Sequence, residues 1–304
     1  MCMGGGEQQH IARAIGLRLT SAALFAAMSA AIKLAEAQGA TLAEIMFWRQ
    51  LVATLLVLAI VGSGPGLASL ATQRLGAHVL RCSLGLASMT LNFATVMLLQ
   101  LAEATTLGFS MPIFATILGA FILHEPTGWR RWAAVFAGFI GVMIVTQPGS
   151  GHIPPLGVAT GLGAALLSAI VSILLRTIGK TESGLTTVFW FSALSLVPLG
   201  VIYPFFAQAH DLRGWATLLA IGVFGGAGQI AMTRSLHLGQ VSVVVPMDYT
   251  ALLWATLLGA LLFDRLPTPA TWIGAPVIIT SGLYIVWREH RRRVEETRLA
   301  MTPG

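Results

Sequence analysis

Ten apolar runs follow one another along the chain, separated by short polar breaks. A run of about twenty residues covers the ~30 Å hydrocarbon core of a bilayer at ~1.5 Å rise per residue. The first half holds Ile15–Leu34, Leu42–Gly62, Gly76–Leu99, Ala104–Leu123 and Trp129–Thr146. The second holds Leu156–Leu175, Thr186–Phe206, Gly214–Ser235, Val241–Phe263 and Ala270–Trp287. Hydrocarbon offers no partner to a bare N–H or C=O, so each run is expected to cross as a helix. The expected fold class is an all-α polytopic membrane protein with ten transmembrane helices.

Charge supports this reading and excludes others. Charged residues make up 10% of the chain, against about 25% in soluble domains. The net charge of +6 does not mark a nucleic-acid protein, because the basic residues punctuate apolar runs instead of forming one patch with exposed aromatics. With two cysteines, Cys2 and Cys82, neither a disulfide framework nor a metal cluster is expected, and no cofactor is implied. The first 14 residues lack the basic-then-apolar order of a signal peptide, so the first run is expected to remain as a helix.

Lys and Arg near span ends are retained on the cytoplasmic side. With both termini cytoplasmic, 14 basic residues fall inside and only Lys33, Arg49, Arg213 and Arg265 fall outside. This split predicts a multi-pass inner-membrane protein with residues 1–14 and 289–304 as cytoplasmic tails.

The two halves read as copies. At a spacing of 142, Ala22, Ala23, Leu24, Ala27, Phe47 and Trp48 meet Ala164, Ala165, Leu166, Ala169, Phe189 and Trp190. At 137, Gly85, Ala94, Leu99 and Leu101 meet Gly222, Ala231, Leu236 and Leu238; at 140, Ala115, Thr116, Gly119 and Trp132 meet Ala255, Thr256, Gly259 and Trp272. An odd number of spans per copy inverts the second copy in the membrane. The expected arrangement is two inverted five-helix repeats, 15–148 and 154–288, around a central cavity, as in secondary transporters.

The ten-span plan, the phrase FWRQLVATLLVL in the second run and the stretch PMDYTALLWATLLGALLFDRLPTPATWIGAPVIITSGLYIVWRE resemble the EamA-type drug/metabolite transporter superfamily. The resemblance covers about Ile15 to Trp287. It implies a central cavity lined by the first, third, fourth, sixth, eighth and ninth helices. It also implies a small organic solute, with amino acids, S-adenosylmethionine, riboflavin and choline all represented among members. General likeness to amino-acid exporters makes export of an amino acid or similar metabolite the expectation. Uptake of another metabolite is the alternative, and a passive channel or scaffold a further one.

Within the spans, Asn92 and Gln229 stand 137 apart and so occupy equivalent depths of the two copies. An amide both donates and accepts, which suits a carboxylate, an amine or a carbonyl, but it also serves to tie helices together. Asp248 and Tyr249 follow Pro246, which frees a backbone carbonyl. Asp248 could bind a substrate ammonium, carry a coupling proton, or pair with Arg234 or Arg81. Tyr249 offers a ring with one polar tip. Phe25, Met28, Met89, Phe109 and Trp254 are candidates for the cavity wall, with packing or lipid contact as the plainer alternative. Trp48 and Trp190 read as belt or packing residues. Arg49 reads as a snorkelling side chain partly neutralised by Glu44, or as an external anion-attracting vestibule. Small residues at Gly222, Gly225, Gly226 and Gly228, and at Gly157, Gly161, Ala165 and Ala169, permit close helix approach or hinge motion.

No enzyme motif emerges. His124-Glu125 lacks the second histidine of a zinc-protease helix, and there is no phosphate loop, dinucleotide turn or nucleophile elbow. The partners expected are a small-molecule substrate, the lipid bilayer and a coupling proton.

Overall fold

The computed structural model describes residues 4–64, 66–121, 128–147, 153–179, 181–238 and 244–301. Cys2, His124, Glu125, Lys180 and the first three residues of the ninth run, Val241, Ser242 and Val243, fall outside these. Among the described residues eleven α-helices run in order: α1 (Gly4–Ala37), α2 (Leu42–Gly62), α3 (Leu75–Leu98), α4 (Leu101–Gly108), α5 (Met111–Phe121), α6 (Trp129–Thr146), α7 (Pro155–Ile178), α8 (Gly184–Phe206), α9 (Leu212–Leu238), α10 (Ala251–Phe263) and α11 (Pro269–Met301). Short 3₁₀ turns lie at Leu67–Leu70 and Val245–Thr250. Among the described residues there are ten apolar helical spans long enough to cross a bilayer, with α4 and α5 forming the fourth between them.

Two spans and both ends differ from the sequence expectation. The fourth run begins at Leu101 and is broken at Phe109 and Ser110. Pro112 has no N–H to return to the carbonyl of Gly108, so the α-helical ladder is interrupted there. The ninth run, expected as one helix, starts as the 3₁₀ turn holding Pro246 and becomes α-helical only from Ala251. The tails expected at 1–14 and 289–304 are helical where described, extending α1 back to Gly4 and α11 on to Met301.

The polar breaks carry identifiable stop and start signals. Gly39 takes the left-handed conformation at φ 86°, and Thr41 and Glu44 form a capping box on α2. Gln147 and Asp264 end α6 and α10 in the same left-handed region. Lys33 donates to the carbonyls of Val96, Met97 and, at 2.7 Å, Leu99, so one ammonium satisfies the exposed end of α3. The connector after α2 is held by the Trp190 indole N–H on the Leu70 carbonyl and by the Thr186 hydroxyl on that of Ser69.

In the bundle, α9 packs along α1 and α2, and α3 packs along α7 and α8. The first span also meets the ninth, the ninth meets α4, and α5 meets the sixth span, α7. The spans that the resemblance assigns to a cavity wall therefore touch in succession. The fifth and tenth spans, α6 and α11, form a separate tight pair beside α5.

Small residues make these approaches possible. A Cβ on Gly226 would lie 3.2 Å from the Ala53 backbone of α2, and one on Gly228 would lie 3.2 Å from the Phe25 ring of α1. Where α6 crosses α11, a Cβ on Gly141 would meet the carbonyl of Gly274 and the amide of Ile278, each at 3.1 Å. Backbone cannot yield as a side-chain tip can, so Gly141→Leu should force the two helices apart. The expected cost is about 1–3 kcal/mol from overpacking. A lowered thermal midpoint of the detergent-purified variant checks it, and an unchanged midpoint would show that the crossing is loose.

Candidate substrate site

The breaks in the fourth and ninth spans bring two aromatic rings together. Phe109, at the C-terminal end of α4, and Tyr249, in the 3₁₀ turn, stack edge to face with centroids 4.8 Å apart and planes at 66°. These two residues are 140 apart, the spacing that aligns the two halves in this part of the chain. The Tyr249 hydroxyl reaches α11, where it occupies the space a Cβ would need on Gly282.

Asp248, beside that ring, pairs with neither Arg234 nor Arg81. Its two carboxylate oxygens accept from Nε and Nη2 of Arg18, a residue the sequence placed simply among the cytoplasmic basic residues. The fork of a guanidinium matches a carboxylate edge, which makes this a bidentate clamp between α1 and the start of the ninth span. Arg18 is buried while the Asp248 side chain remains 42% exposed, so the pair lies at the edge of the packed interior. Nearby, the Ser235 hydroxyl donates to the Ala14 carbonyl and ties α9 to the same end of α1.

The two amides are placed on inner faces without protein partners. On α3, Asn92 continues a stripe formed by Arg81, Gly85 and Ser88, all three buried, yet Asn92 itself is exposed. Ser88 bonds the Ala164 carbonyl and the Ser168 hydroxyl of α7, so the stripe faces the bundle and not lipid. Met89 is buried beside it. Gln229 lies half-buried on α9, next to Gly225 and Gly228, which receive Met28 and Phe25 of α1. Neither amide side chain hydrogen-bonds a described residue, so the helix-tying role is not what the structure displays. Trp254 sits apart from this group, on the exposed face of α10 with Leu253, Leu257 and Leu261.

Arg49 is buried and turned inward, not snorkelling, and Glu44 is not its partner. The Glu44 carboxylate caps Thr41, accepts from the Gln208 amide at 2.7 Å and lies 3.0 Å from Nε2 of His210. Arg49 instead donates to the Gln50 side-chain oxygen and points its guanidinium toward the Phe191 ring of α8, 5.8 Å from the centroid. Arg81 lies over the same ring at 3.8 Å. The sequence places Arg81 toward the cytoplasmic end of the third run, as a candidate partner of Asp248, and does not single out Phe191. A signal was present for both: Arg81 has apolar residues on either side well inside its run, and Phe191 is the partner of Arg49 at the spacing of 142.

Family and structure comparisons agree with this architecture. Residues 12–147 and 155–287 each match the EamA-like transporter family, and the chain belongs to it. It is therefore a membrane transport protein of that class. A riboflavin transporter of Vibrio cholerae is 28% identical over 235 residues, spanning 76% of this chain and 78% of its own. An S-adenosylmethionine uptake transporter of Rickettsia prowazekii is 26% identical over 251 residues, covering 82% of this chain and 84% of that one. The pseudopaline exporter CntI of Pseudomonas aeruginosa is 26% identical over 260 residues, covering 84% and 90% respectively. A solved crystal structure superimposes with a TM-score of 0.57 at 19% identity, over 93% of this chain and 98% of the other, and so shares the fold.

The Arg18–Asp248 clamp generates a stability prediction. Removing one partner leaves the other charge without its bond, so Arg18→Met and Asp248→Leu should each destabilise by about 1–3 kcal/mol. The double variant removes both charges and should lose clearly less than the sum, by at least about 0.5 kcal/mol in a double-mutant cycle on thermal unfolding. Strict additivity would show that the two side chains do not act together.

Proposed function

We infer that this chain is a secondary transporter that works by alternating access on a small amphipathic metabolite of amino-acid type, and that it exports this solute across the inner membrane. The observation that carries the reading is the pair of breaks in the fourth and ninth spans, joined through Phe109 and Tyr249. Irregular backbone at membrane depth is tolerated where it is buried in protein or lines a cavity, and discontinuous helices at the repeat interface are a hallmark of carriers. Contact between positions 140 apart is what a two-fold axis between inverted repeats, 15–148 and 154–288, would produce. It supports a substrate held beside that axis, with Asn92 and Gln229 orienting it and Phe25, Met89 and the two rings supplying apolar wall.

Rocking of one repeat against the other would make and break the Arg18–Asp248 clamp at the cytoplasmic end, which gives Asp248 a gating role and a route to proton coupling. A second reading, uptake of a different metabolite, draws its support from the relative named as an S-adenosylmethionine uptake transporter. No described feature favours a channel or an enzyme.

Counterflow in proteoliposomes with labelled amino acids, S-adenosylmethionine, choline and riboflavin tests the reading. Saturable exchange of one solute class is expected, and Asn92→Ala and Gln229→Ala should each reduce it about tenfold, the equivalent of one lost hydrogen bond of ~1.4 kcal/mol. Unchanged exchange in the double variant would sink the assignment of the amides. Ion conductance without any counterflow would replace the carrier with a channel.

A further inference from the structure

The contact between α2, α3 and α8 holds two cations that are joined to no anion among the described residues. Arg49 and Arg81 are each only 6% exposed. The ion pairs formed among the described residues join Arg18 to Asp248 and bring His78 and His210 to Glu182 and Glu44, and none involves either arginine. Both guanidiniums instead approach one aromatic ring, Phe191. A ring face is a weak substitute for a carboxylate, and two like charges on one ring also repel each other in a poorly polarisable interior. A charge held in that setting without a partner is costly, and intramembrane cations persist where function uses them.

The free hydrogen-bonding groups define what is missing. Nε of Arg49, Nε and Nη1 of Arg81, Nε2 of Gln50 and Oγ of Ser192 are all buried without a partner. Four are N–H donors, the fifth is a hydroxyl able to donate, and the one acceptor that Gln50 could contribute is already taken by Arg49. Such a set suits a ligand group that only accepts and carries negative charge. Glycine lets these groups pack closely against the neighbouring helices. A Cβ on Gly225 would lie 3.2 Å from Arg49 Nε, and one on Gly85 would lie 3.0 Å from the Phe191 ring and 3.5 Å from Arg81 Nη1. The site is also continuous with the inner stripes already described, since Arg81 and Gly85 share theirs with Asn92, and Gly225 is one turn from Gln229 on α9.

We propose that Arg49 and Arg81, flanking Phe191 and aided by Gln50, form the binding site for the carboxylate of the transported solute, which makes the substrate an amphipathic organic acid or amino acid. The inference rests on the transporter reading and narrows it. A bound carboxylate supplies the countercharge that no ion pair among the described residues gives these two arginines, and its two oxygens can each face one guanidinium. Because α2 and α3 contribute one cation each, arrival and departure of the anion changes the repulsion between them. The solute thereby has different interaction energies with differently spaced arrangements of these helices, which is the requirement for coupling binding to a conformational change.

The test is thermal unfolding of the purified protein in detergent with benzoate, indole-3-acetate, L-phenylalanine and L-methionine, each beside its matching amide, and with chloride at the same concentration. At least one carboxylate should raise the midpoint by ~2 °C or more when well above its Kd, while its amide and chloride do not. Arg49→Gln and Arg81→Gln should abolish that shift. No response to any carboxylate, an equal response to the amides, or a response to chloride alone overturns the proposal, and so does a full response in both variants. Should a Gln variant fail to fold, the carboxylate-against-amide comparison in the unmodified protein still decides. Counterflow on the same preparation keeps the two readings apart. Saturable exchange of a solute without a carboxylate, with no carboxylate binding, removes the anion site and leaves the transporter. Carboxylate-specific binding with no counterflow of any solute keeps the site and counts against the transporter.

Discussion

Hydrocarbon cannot hydrogen-bond, and nearly every feature of this molecule follows from that constraint. It turns ten apolar runs into helices, because only a helix satisfies its own backbone within the segment. It also removes the usual force that packs helices together, since lipid tails are as apolar as leucine. Close contact must then come from shape. Glycine at 222, 225, 226 and 228 on α9 lets α1 and α2 press onto its backbone, and Gly141 against Gly274 does the same between α6 and α11.

The same constraint makes each polar departure from the apolar pattern informative. Several are fully accounted for by local structure. Lys33 caps the end of α3, Glu44 caps α2 and meets His210, and Ser88 and Thr95 bond α7. Others are left open towards the inside of the bundle. Asn92 is exposed on an otherwise buried stripe, and Arg49 and Arg81 are buried with unfilled donors. The contrast between satisfied and unsatisfied polar groups is what the proposed solute contacts rest on.

Much of the fold was legible in the residues. The limits of α2 and α6 coincide with the apolar runs, because capping signals and charges bound them sharply. The break in the fourth span was less visible: Pro112 announces a possible bend, but whether a transmembrane helix bends or opens depends on what neighbours satisfy the freed carbonyl. The site was only partly legible. Asn92 and Gln229 stand out by their spacing of 137, Tyr249 by its place after Pro246, and Phe109 as an aromatic inside an apolar run. The partner of Asp248 was not legible, because Arg18, Arg81 and Arg234 all lie near one end of their spans and only packing selects among them. For Arg49, the nearby Glu44 in sequence pointed the wrong way, as that carboxylate was already committed to a cap and to His210.

Length and hydropathy by themselves determined the number of spans and the all-helical class, because burial in lipid acts on each segment independently of the others, and two sequence phrases pointed to the family. Which way each polar side chain turns was decided only by tertiary structure. A helix has an outward and an inward face, and the apolar demands of lipid and of a packed interior look alike in sequence. Trp254 faces outward and Arg81 inward because of the helices beside them. The meeting of Arg49, Arg81 and Phe191 likewise exists only once α2, α3 and α8 are brought together, since charges from separate spans converge through packing and not through spacing along the chain.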